Sequence, residues 1–265
     1  MSETPMATAR EVAIAAARDA GSILRERLGQ HRDIQFKGVV DLVTDADRAA
    51  EAAIAARIRD AFPDHRILGE EGARGERPAT DAALGWIIDP LDGTTNYAHG
   101  FPHFAVSIGL ERAGTVVLGV IYDPLRDELF VAERGRGASL NGVPVRVSGT
   151  DDLIRSLLAT GFPYDLARRT GRAEIWGRFL VRCQSIRGTG SAALNLAYVA
   201  VGRLDGVWED PLQPWDMAAG SLLVEEAGGK VSDIRGGAFA PYGTGIVATN
   251  GALHAAMLAV IADRG

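Results

Sequence analysis

The sequence predicts an α+β protein: N-terminal helices and an antiparallel sheet, followed by a C-terminal mixed α/β layer. Three observations carry this. Apolar residues near the N-terminus recur at helical spacing. Strand patterns then crowd together between Phe104 and Val147 with short turn signals between them, as a meander requires. Beyond about residue 150, strand and helix patterns alternate.

Each element follows from local chemistry. A first helix is expected over residues 5–28, because Ala13, Ala17, Ala20, Leu24 and Leu28 recur at steps of three and four around Arg18, Arg25 and Glu26. Residues 29–43, with His31, Lys37 and Gly38, read as a turn or a mobile hairpin. A second helix follows Thr44, which forms a capping box with Asp47 in the usual Glu position. Ala50, Ile54, Ile58 and Ala61 are its apolar stripe. Ile67-Leu68 and Trp86 to Ile88 read as short buried strands, and residues 72–83 as a surface loop.

The meander comprises Phe104 to Leu110, Val116 to Tyr122, Leu129 to Ala132 and Val143 to Val147. Ala113-Gly114, Asp123-Pro124, Gly135-Arg136-Gly137 and Asn141-Gly142 punctuate it. Further helices are expected near 190–202, 215–227 and 250–263, with Gly228-Gly229 stopping one and Asn250 capping the next. Residues 1–150 and 151–265 form two parts of one compact unit, and neither contains a repeat or a low-complexity segment.

A chain of 265 residues can bury a sizeable core. Its net charge of −6 argues against a nucleic-acid partner with a large basic footprint. Cys183 is the only cysteine, which excludes an intrachain disulfide and a thiolate metal cluster and fits a reducing cytoplasm. An apolar leader and an 18-residue apolar run are both lacking, so no membrane association is expected.

The chemistry concentrates in Trp86-Ile87-Ile88-Asp89-Pro90-Leu91-Asp92-Gly93-Thr94-Thr95-Asn96. An apolar strand runs there into a Gly-Thr-Thr turn, with two carboxylates three residues apart. Hard cations such as Mg²⁺ take oxygen ligands, and two of them can clamp the attacking and leaving oxygens of a phosphoryl transfer. Asp89 could bridge two ions, with Glu70 on one and Asp92 and Asp216 on the other. The Leu91 carbonyl lies between the Asp residues, Gly93 lets the backbone approach closely, and a helical turn starting at Thr94 would offer free N–H groups to phosphate.

Taken singly, each signal has a plainer reading. Asp92-Gly93 is a common turn, Asp216 a first-turn carboxylate and Thr94 an N-cap. Asp41, Asp45 and Asp47 lack the spacing of a calcium loop and read as capping and hydrogen-bonding groups. Gly188-Thr189-Gly190-Ser191 reads as a tight turn before a helix, since a third fingerprint glycine is missing. The five histidines show no ligand spacing, and Arg168, Arg169 and Arg172 read as a solvated face.

Together and in this order, the motifs resemble the inositol monophosphatase family of lithium-sensitive, metal-dependent phosphatases. The resemblance rests on Asp41 to Asp47, Gly69-Glu70-Glu71, Trp86 to Asn96, Phe101 to Gly109, Pro214-Trp215-Asp216 and Glu225 to Gly229. It implies the sugar phosphatase fold, a layered α-β-α-β-α sandwich, and two to three Mg²⁺ ions per subunit. Glu70, Asp89 and the Leu91 carbonyl would hold the first ion, Asp89, Asp92 and Asp216 the second, and Glu70 with waters a weaker third. Thr94, backed by Asp47, would orient the attacking water, and the Gly93 and Thr94 amides would hold phosphate. Lys37 corresponds to the family's basic residue on a mobile loop. Glu209, Gly190, Ser191 and Ala192 correspond to its contacts with inositol, and Gly161 and Phe162 lie in a segment that usually lines the pocket.

The implied reaction is hydrolysis of inositol 1-phosphate by direct in-line attack of metal-activated water, in a homodimer inhibited by lithium. The Gly93-Thr94-Thr95-Asn96 ending is of the inositol type. Fructose bisphosphatases tend to carry Gly-Ser-Ser there, and adenosine bisphosphate and histidinol phosphatases Gly-Thr-Lys. Fructose 1,6-bisphosphate, histidinol phosphate and adenosine 3′,5′-bisphosphate are the alternative substrates. An accessory protein that binds RNA or a transcription complex is the alternative of another class.

Overall fold

The structure, a computed structural model, describes residues 3–29, 35–36, 42–72 and 84–263. Helix α1 (Glu3–Arg27) comes first, then the short antiparallel strands β1 (Gln35–Phe36) and β2 (Leu42–Val43), then α2 (Asp45–Ala61). This antiparallel pair lies in the stretch read as a turn or a mobile hairpin, whose residues 30–34 and 37–41 lie outside the described residues. The capping box is present: Thr44 N–H donates to Asp47 Oδ2 at 2.9 Å, and Ala46 N–H donates to Thr44 Oγ1 at 3.2 Å.

Strands β3 (Arg66–Gly69), β4 (Leu84–Asp92), β5 (Ala105–Arg112), β6 (Thr115–Asp123), β7 (Glu128–Glu133), β8 (Gly137–Leu140) and β9 (Val143–Pro144) form one sheet in chain order. The β3–β4 pair is parallel and the rest is an antiparallel meander. The short helix α3 (Thr94–Ala98) follows β4. The expected strand 143–147 shrinks to Val143–Pro144, and β8 occupies a stretch bracketed by turn signals in the sequence. The expected loop over 72–83 lies, beyond Gly72, outside the described residues.

The second half adds β10 (Leu157–Ala159), α4 (Leu166–Leu180), β11 (Ser185–Arg187), α5 (Ala192–Ala200), β12 (Gly206–Glu209), α6 (Pro214–Glu226), β13 (Lys230–Ser232), β14 (Ile246–Thr249) and α7 (His254–Ala262). Its five strands run in the order β11-β10-β12-β14-β13. β10 is parallel to both neighbours, whereas β14 is antiparallel to β12 and β13. Asn250 does not cap α7. Its Oδ1 instead accepts from Leu253 N–H at 3.2 Å and holds the turn ahead of the helix.

Alternation along the strands builds the layers. Trp86, Ile88, Ile108, Val120 and Val131 face α1 and α2, whereas Ile87, Ile121 and Phe130 face α5 and α6 on the other side. In the second sheet Ala159, Val207 and Ala248 face α5 and α6, while Leu158, Trp208 and Val247 face α4 and α7. The order is therefore helix, sheet, helix, sheet, helix, as expected.

Helix α6 lies tight on the first sheet because Gly109 and Gly119 are cross-strand partners beneath it. A Cβ at Gly119 would stand 2.6 Å from the Ala219 carbonyl oxygen, a backbone atom that cannot swing aside. Gly119→Ala should destabilise the protein by about 1–3 kcal/mol, read from the midpoint of urea unfolding.

Candidate active site

Asp89 and Asp92 lie at the end of β4, where its register with β5 slips between them. In a regular strand, residues three apart point to opposite faces; the irregularity lets both carboxylates turn to one end of the sheet. Asp216 reaches the same point from the first turn of α6, where Gln213 N–H donates to its Oδ2 at 2.7 Å and Pro214 opens the helix. One carboxylate oxygen from each of Asp89, Asp92 and Asp216 lies within 4.8 Å of the others. Capping and clustering are thus two roles of one Asp216 side chain.

Asp92 is held by the start of α5. Ser191 Oγ donates to Asp92 Oδ2, Ala193 N–H to the same oxygen at 2.8 Å, and Ala192 N–H to Oδ1 at 3.2 Å. Asp89 Oδ1 accepts from Leu91 N–H at 3.0 Å. Gly93 takes the left-handed conformation (φ 102°) that starts α3 at Thr94, as the turn requires. Thr94 Oγ1 lies 3.1 Å from Asp47 Oδ1 and 3.0 Å from the Leu91 carbonyl, so its single proton goes to one of two acceptors.

Electrostatics mark the cluster. Burial, and then the charges of Glu70, Asp92 and Asp216, hold the Asp89 carboxyl well above the usual range. Burial and Asp92 do the same to Asp216. Burial pushes Asp92 up to about 6, against the opposing bonds from Ser191 and the α5 amides. Asp47 is raised by burial and partly restored by its bonds to Thr44 and Thr94. Close buried carboxylates are costly unless protonated or countered by a cation. An all-oxygen donor set of this kind fits Mg²⁺ or a similar hard ion.

The cluster floors a cleft of about 670 Å³ that also includes Glu70, Gly161, Gly190 and Glu209 in its walls. Burial, with the Asp92 charge behind it, pushes Glu209 up to about 8, and its Oε2 is buried without a hydrogen-bond partner. The structure therefore gathers Glu70, Asp89, Leu91, Asp92, Gly93, Thr94, Gly190, Ala192, Glu209 and Asp216 around one cleft, with Asp47 and Ser191 directly behind. Lys37 lies outside the described residues.

Two features escaped sequence reasoning. Asn96, noted only as a branch marker, donates through Nδ2 to the carbonyls of His103 and Thr189, both at 2.7 Å, and so ties α3 to the turn before α5. Helix α4 borders the cleft at its first turn, where Asp165 and Arg168 are among the lining residues. Of its arginines, Arg172 pairs with Asp210 and donates from Nε to the Asp210 carbonyl at 3.1 Å. Arg169 Nε donates to the Pro163 carbonyl at 2.9 Å, and Arg168 lines the cleft beside Asp165. The basic cluster is thus largely used within the protein rather than being a purely solvated face.

A model of the inositol monophosphatase family matches residues 6–264. The chain belongs to the inositol monophosphatase family. Among relatives, the Nus factor SuhB of Escherichia coli K12 is 48% identical over 255 residues, 95% of each chain. The extragenic suppressor protein SuhB of Bartonella henselae is 41% identical, with 97% of this chain and 100% of that one aligned at a TM-score of 0.91. The inositol monophosphatase of Anabaena is 43% identical over 97% of this chain and 96% of its own, with a TM-score of 0.86. Metal dependence is general in the inositol monophosphatase family, and the acidic cluster is in keeping with it. Among the described residues, no helix is long and apolar enough to cross a membrane.

Proposed function

We propose that the protein is a Mg²⁺-dependent phosphomonoesterase that hydrolyses inositol 1-phosphate to inositol and phosphate. The observation that carries this reading is the cluster of buried Asp89 and Asp92 with half-buried Asp216, and Thr94 poised beside it on Asp47. Glu70, Asp89 and the Leu91 carbonyl would hold one ion, Asp89, Asp92 and Asp216 a second, and Glu70 a weaker third. Bound there, Mg²⁺ supplies a Lewis acid and makes water a usable nucleophile near neutral pH.

The chain's own groups do the rest. Asp47 accepts the Thr94 proton, which leaves the Thr94 oxygen free to accept from an attacking water and aim it. The Gly93 and Thr94 amides face the phosphate. Glu209, whose Oε2 awaits a partner, meets the hydroxyls of the departing alcohol. Ser191 Oγ and Ala192 N–H serve Asp92 and the Ser191 carbonyl accepts from Asn195 N–H, so the Gly190, Ser191 and Ala192 turn would meet the ring chiefly through Gly190 and the Ser191 N–H. Lys37 would approach from its loop. The enzyme works as a homodimer in the cytoplasm.

Purified protein should release phosphate from inositol 1-phosphate only with Mg²⁺, and lithium should slow the release. The names of the SuhB relatives favour a second reading, an accessory role in transcription. No release across inositol, fructose, histidinol and adenosine phosphates would sink the first reading and favour the second.

A further inference from the structure

We infer that Glu51 is a positioning residue that sets Glu70 against the acidic cluster; this rests on the metal-site reading above. Glu51 lies on α2, one turn beyond Asp47, so both point from the same helix face. That face is packed on the first sheet, and the two carboxylates are 6% and 0% exposed. Like charges one turn apart disfavour a helix, and a buried carboxylate costs stability unless hydrogen-bonded. Apolar residues fill the neighbouring positions, Ala50, Ile54, Ala55 and Ile58. Two acids in such a face need a task that alanine or leucine could not perform.

Each has one. Asp47 holds Thr94 on the turn after β4. Glu51 Oε2 accepts from Glu71 N–H at 2.7 Å. The β3 ladder stops at Gly69, which pairs with Ile88, the residue before Asp89. Glu70 is therefore the first residue past the ladder. Glu51 takes hold of the backbone one residue later and fixes the peptide that follows Glu70. One helix thus ties down both arms of the site, the Asp89–Thr94 arm through Asp47 and the Glu70 arm through Glu51.

Reach and charge can be separated. Glu51→Gln keeps an acceptor oxygen at the same length and removes the charge. Glu51→Asp keeps the charge and withdraws the acceptor by one methylene. Mn²⁺ binding to the full-length protein, followed by calorimetry and by the rise in melting temperature, gives a readout independent of turnover. Groups that orient metal ligands typically change affinity about 10–100-fold when lost. Glu51→Asp should weaken Mn²⁺ binding at least about tenfold, and Glu51→Gln should stay within about threefold of the parent. KM for inositol 1-phosphate at saturating metal should move in neither variant. Parent-like binding in Glu51→Asp overturns the inference, as does equal weakening in both variants, which would make the charge responsible. If the parent itself binds no Mn²⁺, the metal-site reading fails instead.

Discussion

Asp92→Asn should lower turnover roughly a thousandfold at saturating Mg²⁺ while the fold survives. The charge lost is one the proposed second ion needs, and metal-assisted charge stabilisation is worth several kcal/mol in such reactions, at about 1.4 kcal/mol for each factor of ten. The fold survives because Asn is nearly the same shape and its one oxygen can still accept from Ser191 Oγ and Ala193 N–H, which share Oδ2, so that only the longer bond from Ala192 N–H is lost. Removing a carboxylate from a crowded buried cluster also relieves repulsion, so the variant's melting temperature without metal should be equal to or above that of the parent. Turnover within tenfold of the parent would remove Asp92 from the ligand set. A large drop in melting temperature would show that the capping of α5, not the charge, was its main service.

The second large effect is a pH dependence that divalent ions erase. Burial first raises Asp89, Asp92, Asp216 and Glu209 above their ordinary values; neighbouring carboxylates add to this at Asp89, Asp216 and Glu209, whereas at Asp92 the bonds from Ser191 and the α5 amides oppose it. A carboxyl raised on folding is protonated more readily in the native state. It therefore adds stability below its unfolded value, and that stability is lost as pH climbs through the folded value. With Asp92 near 6 and Glu209 near 8, against ordinary values of 3.8 and 4.5, the loss runs from about pH 4 to pH 8. A tenfold change in proton affinity is worth about 1.4 kcal/mol, so these carboxyls together account for a loss on the order of several kcal/mol. In EDTA the melting temperature should fall across that window, and saturating Mg²⁺ should flatten the curve by binding the ionised native cluster. A flat or rising profile in EDTA would contradict the charged-cluster picture.

Much of the site was legible because its chemistry is local. Thr44 and Asp47 announce a capping box by spacing alone, and Asp89, Asp92 and Gly93 sit within one strand and turn. What lies behind those residues was not legible. Ser191 and Ala193 reach Asp92 from far along the chain, and no local pattern links a helix start to a distant carboxylate. The inner part of the fold followed alternation well, since Trp86, Ile87 and Ile88 declare two buried faces. Helix α4 did not, because it buries only Ile175 and Phe179 and is interrupted in sequence by Gly171 and Gly177. Its arginines resembled a solvated surface because their acceptors, the carbonyls of Pro163 and Asp210, belong to backbone that folds against them from other segments. β8 was hidden by Gly137, which opens it, and by Gly135 and Gly142 on either side, which mark turns more strongly than Ala138 and Leu140 mark a strand.

The acidic cluster is assembled from β4 and from α6, and the helix that steadies Asp92 lies between them in the chain. During synthesis, the first sheet can be complete while Asp216 is still inside the ribosome. A half-made chain therefore carries Asp89 and Asp92 but not the third carboxylate or the amides that aim the second. Under the proposed metal site, the full set of carboxylates that would hold an ion is therefore present only once α6 has been made.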